Sequence, residues 1–134
     1  MIRISEDQWR ALAAACGPPV ATIVLESLRE NHADLIDGLD RVSLDDMIAN
    51  ALARAGRHRL SEIEDLVLFA ELSFAIAPNF DEQPEIARLL RDHARRPGLV
   101  MGAVVDAASE AAWERAERDY DPRAWFSEEA GGGR

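Results

Sequence analysis

The chain has no lysine: all 15 of its permanent cations are arginine. Every fixed positive charge is therefore a planar fork, a shape that favours bidentate pairing with carboxylates. Cysteine is nearly absent too. Cys16 stands alone, which excludes an internal disulfide and the paired spacing of a zinc site and fits a reducing cytoplasm. Long apolar runs are also missing. The longest, Leu66 to Ala77, is interrupted by Glu71 and Ser73 and is too short to span a bilayer. At the amino terminus, MIRISEDQWR puts Glu6 and Asp7 where a signal peptide would carry its apolar stretch, so the expectation is a cytoplasmic protein with no export signal. No segment alternates with period two, no internal repeat is visible, and no Asn-Gly or Asp-Gly hairpin signal separates strand-like runs.

What is present points to one all-α domain. A chain of 134 residues can bury a single core without staples. The formal net charge of -10 argues against a nucleic-acid backbone as main partner and suits a basic protein. Helix-start patterns recur at Ser5-Glu6-Asp7-Gln8, Ser43-Leu44-Asp45-Asp46 and Ser61-Glu62-Ile63-Glu64, each with a hydroxyl at the expected N-cap. Gly17-Pro18-Pro19 closes a first helix and opens a second, in which Val20, Ile23, Val24 and Leu28 recur at helical spacing. The segment from His32 to Val42 predicts a short helical turn and a loop, with Gly38 as a stop.

In the next helix Leu44, Met47, Ile48, Ala51, Leu52 and Ala55 form one apolar stripe, with Asp45, Asn50 and Arg54 expected to face elsewhere. Residues 62–77 are apolar nearly all the way round and predict the central helix. A short helix from Pro84 to His93 turns Ile86, Leu89 and Leu90 inward and is closed by Arg95-Arg96-Pro97-Gly98. An alanine-rich helix from about Leu99 to Asp119 completes a bundle of about five to six helices over residues 1–120. Residues 121–134 read as a tail, loosely docked or disordered.

Candidate sites are few. Asp81, Glu82 and Glu85 could hold a hard divalent cation as the centre of a metal-dependent hydrolase. The favoured reading has Asp81 or Glu82 capping the helix that contains Pro84. Asp34 to Asp40 lacks the spacing of a calcium loop. His32, His58 and His93 sit on separate elements, and no GxSxG elbow or basic motif marks Ser5, Ser43, Ser61 or Cys16 as a nucleophile. Two basic patches, Arg57-His58-Arg59 and Arg91 to Arg96, lie near helix ends, where cations complement the dipole. A small transcriptional regulator using Arg57 to Arg59 is a further alternative. Trp125 and Phe126 either fold back onto the bundle, the favoured reading, or anchor a partner.

The stretch from Arg54 to Leu90, RAGRHRLSEIEDLVLFAELSFAIAPNFDEQPEIARLL, resembles a family of small helical bacterial proteins encoded beside type VI secretion spike and PAAR-type effector genes. That pattern has a helix ending in Arg-Ala, a Tyr-Gly-Ile turn, a Ser/Thr start, an apolar helix and then Gly-Pro-x-Phe-Asp-x-x-Pro. MIRISEDQW and LESLREN are similar as well, so the likeness runs to Trp113. Here His58-Arg59-Leu60 replaces the Tyr-Gly-Ile turn, and Ala77 the glycine before Pro78. The resemblance implies a corner at Pro78 to Asp81, with Phe80 in the core. It also implies a non-catalytic protein-binding factor of a secretion or effector locus, acting as adaptor, chaperone or immunity protein. No catalytic residue, cofactor or metal is implied. The expected partner is a protein encoded by a neighbouring gene, with no nucleic acid and no membrane, and homo-oligomerisation is left open. Trp125, Phe126, Arg91, Arg95 and Arg96 are the candidate partner-binding residues.

Overall fold

In the computed structural model, residues 19–126 are described; the expected first helix after Ser5, together with Cys16 and residues 127–134, lies outside them. Among the described residues there are seven α-helices, two 3-10 turns and no strand, so the all-α class holds. No helix among them is long and apolar enough to cross a membrane.

Helix α1 (Val20–Asn31) starts directly after Pro19, whose fixed φ suits a helix entry, and buries Val24, Leu25 and Leu28. The single turn α2 (Ala33–Ile36) is followed by Gly38 at φ 88, a left-handed position that glycine adopts without steric cost. Helix α3 (Arg41–Arg57) begins earlier than its Ser43 signal suggests. Asp40 is the cap: its Oδ2 accepts from the Ser43 backbone N at 3.2 Å, which places Ser43 at the third helical position, inside the helix and not at its cap.

Helix α4 (Ile63–Ala75) has no side-chain cap, contrary to the role expected of Ser61; Glu64 and Asp65 in its first turn oppose the dipole instead. It is the central element, packed against α1, α3 and α6 (Met101–Ala107). Two core clusters meet on it. Leu66 and Phe69 face Phe80, Ile86, Leu90, Met101 and Val104, while Ala70 faces Val24, Leu28, Leu44 and Ile48. This is why its apolar residues run nearly all the way round.

The corner expected after α4 is present. A 3-10 turn (Phe80–Glu82) buries Phe80 completely, with its ring 4.8 Å from Phe69 and 6.1 Å from Trp113. Helix α5 (Pro84–His93) follows at once. Its cap is Gln83, whose Oε1 accepts from Ile86 N at 2.9 Å, and this corrects the assignment of that role to Asp81 or Glu82. Those acids have another partner, described below.

The last long helix is broken. Between α6 and α7 (Glu110–Arg118) the chain extends at Ala108 and Ser109. Ser109 Oγ caps α7 through Ala112 N at 3.1 Å, and Glu85 on α5 accepts from Ser109 N at 2.8 Å and from Oγ at 2.9 Å. A serine bonded to its own backbone and to a carboxylate 24 residues away leaves the helical ladder at that point. The buried Asp65 carboxylate accepts from Val100 N and Met101 N at 2.9–3.1 Å and so serves the amides that open α6.

Through residue 126 the C-terminal stretch packs on the bundle. Asp121 caps a 3-10 turn (Pro122–Trp125), and Trp125 is buried against Phe74 at 4.7 Å while its Nε1 donates to Tyr120 Oη at 2.7 Å. This turn covers the side of α3 on which Asn50 was expected to face away from the core. Asn50 is buried and donates to Ala124 O at 2.6 Å, so α3 packs on two sides and not one.

Candidate binding groove

Arg54 is the second buried polar residue on α3, and it organises the site. Its side chain, expected at the surface, is only 3% exposed. Nη2 donates to Asp81 Oδ1 at 2.7 Å and to Glu82 Oε2 at 2.9 Å. His58, at the end of the same helix, meets the other Asp81 oxygen through Nε2 at 2.8 Å, and its ring lies 5.7 Å from Phe69. One buried carboxylate thus holds the last turn of α3 against the corner that launches α5. Burial pushes the Asp81 carboxyl up, but the His58 and Arg54 hydrogen bonds and the Arg54 charge outweigh it and hold the group below the usual carboxylate range. Arg54 Nε is buried with no hydrogen-bond partner among the described residues, a cost that the two carboxylates at Nη2 offset.

Helix α3 ends in a full Schellman motif. Arg59 N donates to Gly56 O at 3.0 Å and Leu60 N to Ala55 O at 3.4 Å, and Leu60 and Ala55 share the main core cluster. The left-handed residue that this motif needs is Arg59, at φ 64, the one non-glycine residue with positive φ among those described. An L side chain pays for that conformation, and glycine is the usual occupant.

The tie through Asp81 sets the end of α3 beside the end of α5. Between them runs an open groove of about 330 Å³ lined by Arg57, His58, Arg59, Leu90, Arg91, Ala94 and Arg95. Leu90 is fully buried, so it supplies an apolar floor, and the exposed guanidinium groups form the rim. Arg59, Arg91 and Arg95 have no ion-pair partner among the described residues. The two basic patches of the sequence, more than 30 positions apart, are one surface. The chain's net charge of -10 conceals it, because that sum averages over the whole molecule.

The remaining candidates fall elsewhere. Asp81 and Glu82 share Arg54, whereas Glu85 is taken by Ser109, so the three acids do not converge, and no group of three metal-ligating side chains occurs among the described residues. Arg96 is exposed just beyond the groove and is not part of its lining. Trp125 is buried in the bundle, and Phe126 beside it is 44% exposed; neither lines the groove. Sequence reasoning missed Arg54 and the Asp81 pairing. The available signal was an arginine in the last turn of the helix, three residues after Ala51 of the apolar stripe, and nothing local links it to a carboxylate 27 residues on. No protein-family model matches the chain, and comparison with curated proteins and with solved structures returns no match.

Proposed function

We propose that the chain is a non-catalytic protein-binding accessory factor, working in the cytoplasm for a bacterial secretion or effector locus as adaptor, chaperone or immunity protein. The observation that carries the binding role is the arginine-rimmed groove. Its lining offers guanidinium forks, an imidazole and an apolar floor, with no hydroxyl, thiol or carboxylate. Such a surface recognises and holds: its one nucleophilic side chain, the His58 imidazole, has Nε2 engaged by Asp81. The link to a secretion locus rests on the sequence resemblance over Arg54 to Leu90.

The test is co-expression of the chain with the products of its neighbouring genes, followed by size-exclusion chromatography without added nucleotide or metal. Co-elution of one neighbour as a stoichiometric complex is the expected result. Separate elution of every neighbour, alongside turnover of a small substrate by the purified chain, would contradict the proposal.

A further inference from the structure

We infer that the groove between the ends of α3 and α5 receives a short acidic segment of the partner protein, its carboxylates taken by Arg59, Arg91 and Arg95. This rests on the binding-protein reading above and names what the partner must present.

Complementing the helix dipoles would account for Arg57 and Arg91, which lie in the last turns of α3 and α5. It does not account for Arg59. That residue lies beyond the helix in a left-handed conformation where glycine would remove the strain, and the chain places a long cation there instead. Its side chain rises from the same rim as Arg91 and Arg95, without a carboxylate of its own among the described residues. Planar forks on opposite walls suit carboxylate pairs, and Leu90 and Ala94 between them accept the aliphatic part of a glutamate or aspartate.

The size and setting of the groove select among anions. At physiological salt, charges interact over about 8 Å, so a ligand confined to the groove experiences the arginines and little of the remaining surface. A nucleic acid would run out of a groove of about 330 Å³ onto a chain whose net charge is -10. A short acidic segment fits inside it.

The probe is a fluorescein-labelled peptide of alternating glutamate and serine, titrated with the full chain at physiological salt and followed by fluorescence anisotropy. Expected is saturable binding that weakens as salt is raised. Arg91→Gln and Arg95→Gln should each lower affinity by about threefold, and by about tenfold together, as loss of exposed charge pairs does. Arg59→Gly should weaken binding comparably while leaving the fold at least as stable. An absence of peptide binding, affinity unchanged in the Arg91→Gln/Arg95→Gln variant, or equal binding of duplex DNA or inorganic phosphate would overturn the inference. Retention of a neighbouring gene product by that double variant at wild-type affinity would also overturn it, while leaving the broader binding function standing.

Discussion

Replacing Asp81 by alanine separates two accounts of the corner by the size of the effect. If Asp81 were a helix cap, its loss would cost about 1 kcal/mol. In the structure it is the shared acceptor of Arg54 and His58, and both Arg54 and Asp81 are nearly excluded from water. Removing one member of a buried pair leaves the other charge without compensation, at about 3–5 kcal/mol. Glu82 still reaches Arg54 at 2.9 Å, although its own side chain is 65% exposed, so the lower end applies: about 3 kcal/mol. For a domain of this size that lowers Tm by about 10 °C. Urea unfolding followed by circular dichroism reads the change directly. The partner experiment is Arg54→Met combined with Asp81→Leu, which removes both charges and should recover most of the loss. A loss near 1 kcal/mol, with no recovery in the double variant, would refute the buried pair as the tie between α3 and α5.

Acid should reproduce part of that effect. Because the Asp81 carboxyl is held below its ordinary value in the fold, its contribution is present above about pH 4 and is lost as pH falls through the depressed value; stability profiles of wild type and Asp81→Ala should therefore converge in acid. Arg59→Gly removes about 1–2 kcal/mol of left-handed strain and adds about 0.5–1 kcal/mol of unfolded-chain entropy, so a net gain of about 0.5–1 kcal/mol is expected in urea unfolding. A loss would mean that Arg59 stabilises the fold itself. Phe80→Ala, which empties a fully buried site beside Phe69 and Trp113, should cost about 3–5 kcal/mol by the same assay, and an effect under 1 kcal/mol would place the ring outside the core.

The helical class and the central position of residues 63–75 were legible because each rests on local periodicity or composition, whereas the buried Phe80 was expected only from the family resemblance. The stripe Leu44, Met47, Ile48, Ala51 and Ala55 is buried as its spacing requires. What escaped is non-local. Asn50 and Arg54 read as outward-facing because a polar residue on an amphipathic helix usually faces water, and only the chain's return at Ala124 and Asp81 gives them partners inside. The break at Ser109 depends on Glu85, and the cap at Asp40 competed with an equally plausible serine three residues on. The arginines of the groove were visible as two runs. Their meeting was not, since it follows from the Arg54–Asp81–His58 tie that joins α3 to the corner.

The most direct test of the account is the map of amide chemical-shift changes when the unlabelled glutamate–serine peptide is added to the nitrogen-15-labelled chain. The groove predicts changes concentrated at Arg57 to Leu60 and Leu90 to Arg96, growing to saturation, with the midpoint moved to about tenfold higher peptide in the Arg91→Gln/Arg95→Gln variant. Changes centred on Phe126 or on α1, or none at all, would contradict it.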